Sequence, residues 1–283
     1  MAFVLDEKGN YLPVLGETSG SGGTSDHAQL TNLDYTNSGH TGFMSSANYL
    51  QDGTVVTVKA DGTGDFTTLE GALEYLEPKW SDGEIIIDIS AGTYQTAGSI
   101  SLDNYKIKRI IIKGAGKTST FIYTPFADTQ TAGFFQFEVI NGTNVIFKDI
   151  KLGTEIISIP EAYNHKIIQV RDNAMVNFDN VAFNGTARLV QVDANAVCYI
   201  MSDCDFSNAV SGILCSRGEI RMQHGLTFTC SNITTVIHIQ SGGVVKFWSA
   251  TFANTNVTNV CNHNPQTEYV TADGLCFGSF TTT

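Results

Sequence analysis

The 283-residue chain has only five prolines, and only 16% of its residues are Asp, Glu, Lys or Arg, against about 25% in an average soluble protein. Basic side chains are the scarcer sign: 16 Lys+Arg face 28 Asp+Glu, a formal charge of −12. A surface of that sign repels phosphate backbones, which excludes nucleic acid as a partner. No apolar run approaches the roughly 20 residues that cross a bilayer, so no membrane insertion is expected. The opening stretch from Met1 to Lys8 has no basic region and no long apolar core, and does not read as a signal peptide. The six cysteines (Cys198, Cys204, Cys215, Cys230, Cys261 and Cys276) form no Cys-x-x-Cys pair, which argues against zinc and dithiol sites. They are expected to be reduced and to pack as small apolar side chains. No metal and no cofactor is expected.

Glycine is plentiful, at 27 residues, and hydrophobic residues make up 42%. Together with abundant Asn and Thr, this composition suits many strands and many turns, and excludes both a helical bundle and global disorder. Four Asn-x-Thr sequons, at Asn141, Asn184, Asn232 and Asn256, read as turn chemistry, because Asn bonds to its own backbone in turns.

The second half aligns with itself. Segments ending at Leu152, Phe183, Phe206, Phe228 and Phe252 are separated by 31, 23, 22 and 24 residues. Each carries an apolar–variable–apolar triplet, a polar turn and a second apolar pair, and period-two alternation marks a strand with one buried face. A second strand precedes each of the last four: Ile168–Val170, Val190–Val192, Ile213–Cys215 and Ile237–Ile239. A helix-free unit of 22–24 residues predicts a parallel β-helix, with Phe183, Phe206, Phe228 and Phe252 in one stack and Val176, Cys198, Ile220 and Val245 in another. Upstream, apolar residues at 69, 72, 73 and 76 predict one helix with Thr67 or Thr68 as its N-cap, covering the first rung. After Phe252 the rung pattern fades, and this tail is expected to cap the last rung.

The stretch Val56-Thr57-Val58-Lys59-Ala60-Asp61-Gly62-Thr63-Gly64-Asp65-Phe66-Thr67-Thr68-Leu69 resembles the opening of pectin methylesterases and related pectate-lyase-like β-helices. So do Ile89-Ser90-Ala91-Gly92-Thr93-Tyr94 and Ile111-Ile112-Lys113-Gly114-Ala115-Gly116. The resemblance implies a right-handed parallel β-helix. It also implies an esterase set of an aspartate nucleophile, a second acidic Asp, and Arg and Gln residues that fix them and the oxyanion. The family's Gly-x-x-Asp-Phe-Ile-Phe-Gly and Leu-Gly-Arg-Pro-Trp motifs are missing; Asp203-Cys204-Asp205-Phe206 is the nearest fragment. No catalytic set is visible, and enzymatic activity is not assigned on this basis.

A second resemblance lies in Asp26-His27-Ala28-Gln29-Leu30-Thr31-Asn32-Leu33-Asp34-Tyr35 and Ser38-Gly39-His40-Thr41-Gly42-Phe43, which look like a segment of tail-fibre and baseplate proteins of tailed bacteriophages. The expected organisation is an N-terminal attachment arm and linker over 1–54, followed by an all-β right-handed parallel β-helix over 55–283. The resemblance implies a tail-fibre, tailspike or baseplate component of a virion, made in the bacterial host cytoplasm. It would assemble as a homotrimer, join other tail proteins through the arm, and attach to a bacterial surface polysaccharide. The alternative on the same rod is a glycan depolymerase or carbohydrate esterase.

Candidate site residues follow from the solenoid. Asp179 aligns near Asp203, and Asp172 near Asp193; stacked rungs bring such carboxyls within the 5–9.5 Å that glycoside hydrolysis uses, although Asp is also common at turns. Arg171, Arg188 and Arg217 look scattered. His27 and His40 read as turn residues, and His238, between Ile237 and Ile239, as an outward strand residue. The long first step is an insertion over 153–165. Solenoid insertions map to loops on one face, often the binding face, so Glu161, Tyr163, Asn164 and His165 are the expected ligand-binding residues, with Tyr163 to stack on a sugar.

Overall fold

The computed structural model describes residues 3–5, 11–13, 48–125, 134–154, 165–223, 225–247, 250–263 and 281–282. The chain falls into two compact units, Met1–Ser45 and Ser46–Thr283. In the first, β1 (Phe3–Leu5) pairs antiparallel with β2 (Tyr11–Pro13). His27 and His40 lie outside the described residues.

The second unit begins with β3 (Thr54–Val58), α1 (Leu69–Leu76), β4 (Trp80–Ile89), β5 (Gly92–Gln95), β6 (Ile100–Asp103), β7 (Lys106–Gly114), β8 (Thr120–Thr124) and β9 (Phe135–Ile140). It continues with β10 (Asn144–Thr154), β11 (Lys166–Val170), β12 (Met175–Asp193), β13 (Val197–Ile200), β14 (Asp205–Ser216) and β15 (Glu219–Met222). The last elements are β16 (Leu226–Gln240), β17 (Val244–Phe247), β18 (Ala250–His263) and β19 (Thr281–Thr282). Every pairing within this unit is parallel, and each strand pairs with its counterpart one turn later, as in β10 with β12, β12 with β14, β14 with β16 and β16 with β18. The result is the expected parallel β-helix. Among the described residues it has one α-helix, and no helix long and apolar enough to cross a membrane.

The helix forms where the apolar spacing places it. Thr68 is its N-cap, with Oγ1 accepting from the Gly71 N–H, and Leu69, Ala72, Leu73 and Leu76 are buried. It packs against β3 and β4.

Alternation puts one file of side chains inside each sheet. Val176, Cys198, Ile220 and Val245 stand in register across β12, β13, β15 and β17 as expected, and all are buried. The phenylalanine file differs. Phe183 pairs with Phe206, and their rings stack at 5.3 Å and 4°, but Phe206 pairs with Cys230. Phe228 sits two residues earlier and pairs with Phe252. The turn before β16 contains Gly225 at φ 76°, so β16 enters the sheet early and the register step becomes 24 residues, not 22. A slip of two keeps the same face inward, and the Phe228 ring still stacks on Phe206 at 6.0 Å.

The corners explain the asparagines. Asn208, Asn232 and Asn256 all adopt φ near 55°, the left-handed region that Asn tolerates better than most residues. Their side chains form a ladder: Asn208 donates to Asn184 at 2.7 Å, Asn232 to Asn208 at 2.9 Å and Asn256 to Asn232 at 3.0 Å. Asn141, at φ 54°, donates to Asp103 at 2.6 Å. Three of the four sequon asparagines, Asn141, Asn232 and Asn256, are therefore corner residues, while Asn184 lies in the strand opposite Ser207 and Gly185 takes the left-handed position at φ 77°.

The rung pattern also runs further than the sequence suggested. Ala250–His263 pairs with Leu226–Ile239 over its whole length, with Val257 opposite Ile233 and Cys261 opposite Ile237. Asn254 stands opposite buried Cys230 and Asn259 opposite buried Thr235, and these polar residues at inward register positions obscured the alternation. Cys198, Cys204, Cys215 and Cys230 are buried free thiols, and burial pushes the last three up to about 12.

Candidate active site

One outward face gathers charge from three successive strands. In β9, β11 and the last third of β12, register aligns Glu138, Gln169 and Gln191 in one file and Phe135, Lys166 and Arg188 in the next. The second file continues to Ser211 and Thr235, and Gln191 is followed by Leu214 and His238. His238 lies between buried Ile237 and Ile239 as expected. Adjacent strands lie about 4.8 Å apart, so residues at 138, 169 and 191, distant in sequence, become neighbours.

Side-chain bonds knit these files together. Gln191 donates its amide to Asp193 Oδ2 at 2.6 Å, and Gln169 donates to the same oxygen at 3.4 Å. Arg188 donates to Gln191 Oε1 at 3.2 Å, and Lys166 Nζ to Gln169 Oε1 at 3.4 Å. At the edge, Arg171 Nε donates to Glu138 Oε1 at 2.7 Å and its guanidinium also pairs with Asp172. The carboxylate at Asp193 is thus held by two amides, whose own oxygens accept from Lys166 and Arg188.

Two of the charges are buried: Glu138 is 8% exposed and Lys166 6%. Burial lowers the Lys166 ammonium from its ordinary value, and the Arg188 cation in the next rung lowers it further, while Asp193 and Glu138 act in the opposite sense. Glu138 draws Arg171 upward by its hydrogen bond. A desolvated lysine beside a like charge, next to an oriented carboxylate, is the arrangement from which proton-transfer and nucleophilic chemistry is built. Among the described residues no group of three His, Cys, Asp or Glu could hold a metal ion.

The residues singled out from sequence lie mostly elsewhere. Asp179 pairs with Lys148; burial works to raise its carboxyl, but the Lys148 ammonium helps hold it below the ordinary carboxylate range. Asp203 Oδ1 accepts the Thr227 N–H at 2.9 Å, a bond that joins one rung to the next. Glu161, Tyr163 and Asn164 lie outside the described residues. His165 is buried immediately before β11, with its ring 6.3 Å from that of Phe134 and its carbonyl accepting the Arg188 N–H at 3.0 Å. Arg171 and Arg188, read as scattered, instead face the same surface, because β11 and β12 are adjacent. The available signal was the register of Gln169 with Gln191, two residues before Asp193.

The sequence pattern of the pectinesterase family matches residues 55–214, which include Glu138, Lys166, Gln169, Arg188, Gln191 and Asp193. No curated protein sequence matches the chain. Among solved structures, a crystal structure of a pectin methylesterase in complex with a hexasaccharide superposes with a TM-score of 0.51 at 12% identity, over 72% of this chain and 67% of the other. A pectin methylesterase from Erwinia chrysanthemi gives 0.48 at 12% identity, over 74% and 80%, and one from carrot 0.39 at 16%, over 75% and 88%. The first of these shows the shared right-handed β-helix fold.

Proposed function

The chain belongs to the pectinesterase family, and from that premise we propose that it is a carbohydrate esterase whose reaction takes place on the face formed by Glu138, Lys166, Gln169, Arg188, Gln191 and Asp193. The observation that carries this reading is the clamping of Asp193 by Gln191 and Gln169 beside Arg188 and Lys166. Ester hydrolysis needs an oriented nucleophile, a cation for the oxyanion and a proton donor for the leaving alcohol, and these residues supply all three.

In this proposal the Asp193 carboxylate attacks the ester carbonyl carbon, and the charge developing on the carbonyl oxygen is met by Arg188. The bond to the alcohol oxygen breaks as the Lys166 ammonium delivers a proton to it. An acyl–carboxyl anhydride and a neutral amine remain. Water then attacks the anhydride and gives its proton to Lys166, which restores the Asp193 carboxylate and the ammonium and releases the acid. The lowered affinity of Lys166 for its proton suits both roles, since acid–base catalysis works best when the group's own value is near the operating pH.

The direct test is to supply methyl-esterified and acetylated polysaccharides, pectin first, and to follow acid release by pH-stat. Steady acid release supports the esterase. Its absence across this panel turns the reading to glycan attachment without turnover. One observation favours that second reading: the next rung places Ser216, not a second carboxylate, opposite Asp193. In that form the protein would be an adhesin, and the tail-fibre resemblance of residues 26–43 would make it a trimeric virion component that attaches to a bacterial surface polysaccharide.

A further inference from the structure

A second surface, formed by other stretches of the same strands, carries a groove of about 460 Å³. It follows the strand passage made by β8, the end of β10, the middle of β12 and the starts of β14 and β16. Register sets its floor. One file runs Phe121, Lys151, Ala182, Asp205 and Thr229; the next runs Tyr123, Gly153, Asn184, Ser207 and Ser231. The floor is low because the side chains at 182, 207 and 231 are small, and Gly153 continues the same level one rung earlier. Gly153 can be nothing larger, since a Cβ there would lie 2.5 Å from the Asn184 carbonyl oxygen and 3.2 Å from the Phe121 ring.

The walls and ends have a distinct chemistry. Lys117 and Asp205 form an ion pair at 2.9 Å on one wall. One rung before Lys151, beyond the lining of the groove itself, Phe121 and Tyr123 form an aromatic step, their rings stacked 5.6 Å apart, with Tyr123 Oη donating to Gln95 at 2.9 Å. Lys151 Nζ lies 4.8 Å from the centre of the Phe121 ring, and among the described residues it makes no ion pair. Ser207 bonds to the Phe183 carbonyl and to Asn184, which orients its hydroxyl at the floor. Aromatic ring faces beside hydroxyl, carboxylate and ammonium groups, along an open trough, match a sugar chain. Its apolar ring faces stack and its hydroxyls need both donors and acceptors.

We propose that this groove is a second glycan-binding site, separate from the proposed esterase face, which holds a linear oligosaccharide along the strand-stacking direction. The ring face of one sugar rests on the aromatic step, Ser207, Thr229 and Ser231 meet the hydroxyls, and Lys151 takes an acidic substituent where the glycan carries one. That the ligand is a glycan rests on the family reading; the location does not. The groove would hold a polymer on the rod while the other face works on it, so affinity for long chains exceeds that of either site alone.

The test uses the full chain and two hexasaccharide probes, a neutral maltohexaose and an acidic hexagalacturonate, with binding followed by amide chemical shifts and calorimetry. Perturbation of the amides of Lys151, Ala182, Ser207 and Ser231 by either probe is the expected result. Ala182→Leu, which fills the floor, and Phe121→Ala should each weaken that binding at least tenfold while leaving acid release from a small soluble ester unchanged. Lys151→Ala should weaken the hexagalacturonate only. Thermal melting of each variant checks its fold, and Ser207→Ala, at the floor of the groove, serves if Phe121→Ala melts early. Shifts confined to Gln169, Gln191 and Asp193, or groove variants that bind like the parent, overturn the second site and leave the esterase reading intact. Loss of ester turnover with groove binding retained would do the reverse.

Discussion

Gln191 donates its side-chain amide to Asp193 Oδ2 at 2.6 Å, two residues along the same strand, so that both side chains project from the same sheet face. Gln191 is a positioning residue in this account: it acts through Asp193. Gln191→Leu removes the donor at little cost in volume. The expected result is a fall in kcat of about ten- to a hundredfold with KM little changed, the pattern of an interaction made in the transition state. Gln191→Glu should do worse, because it sets one carboxylate against another.

The proposed proton donor gives the pH profile a direction. Lys166 must be an ammonium to protonate the leaving alcohol, and burial and Arg188 lower the pH at which it loses that proton. Turnover should therefore fall as pH rises through this lowered value, before the range of an exposed lysine. Lys166→Arg keeps the charge at all accessible pH and should remove the alkaline limb while lowering kcat. A pH–rate series on parent and variant checks this. An alkaline limb that persists in Lys166→Arg assigns the titration to another group.

Stability should depend on acid through Glu219. Its Oε1 accepts from Arg221 Nε at 2.8 Å and pairs with Lys246 at 2.6 Å, and its Oε2 accepts from Arg221 at 2.9 Å. These cations hold its carboxyl at about 2, the hydrogen bond from Arg221 contributing most. The folded value lies below the unfolded one, so the stabilisation is complete above the ordinary carboxylate range and is lost as pH falls toward 2. Urea midpoints measured between pH 5 and 2.5 should fall less steeply in Glu219→Gln than in the parent.

The corner ladder predicts an ordering of variants. Asn232 sits at φ 54°, donates to Asn208 and accepts from Asn256. Asn232→Ala adds a strained left-handed residue and removes both bonds, for an expected loss of about 1–2 kcal/mol. Asn232→Gly relieves the backbone and should lose about half as much. Chemical denaturation of the two variants ranks them. In the core, Phe206→Ala opens a hole between the Phe183 and Phe228 rings and should cost about 3–5 kcal/mol.

The thiols give an independent check on the interior. Cys198, Cys204, Cys215 and Cys230 are buried, and burial raises each thiol far above the ordinary range. At pH 8 these four should resist alkylation for hours in the native protein and react at once in guanidinium, as read by peptide mass spectrometry. Rapid native labelling at Cys198 would place that side chain outside the core.

The architecture was legible because a solenoid repeats its inward residues. The file through Val176, Cys198, Ile220 and Val245 appears in sequence as it stands in the structure. Register at Phe228 was harder to read, since a two-residue slip preserves the inward pattern and leaves the alternation unchanged. The polar face was legible only in pieces: Asp193, Arg171 and Arg188 stood out one by one, but not the files that join them to Glu138, Lys166, Gln169 and Gln191. Its members come from three strands, and each file is set by which residue stacks on which, so no contiguous motif exists. Glu138, Gln169 and Gln191 become neighbours only once the pairing of β9, β11 and β12 is known. Asp179 and Asp203 stood out because they align with each other, but the first is occupied by Lys148 and the second by a backbone N–H.

The most direct test of the central claim is methanol release from methyl-esterified polygalacturonate by the parent chain and by Asp193→Asn, measured side by side with their melting temperatures. The account predicts turnover by the parent and at least a hundredfold loss in Asp193→Asn, with the two melting within a few degrees of each other. Equal release by both proteins would contradict it, as would a failure of the parent to release methanol or acid from any esterified glycan supplied.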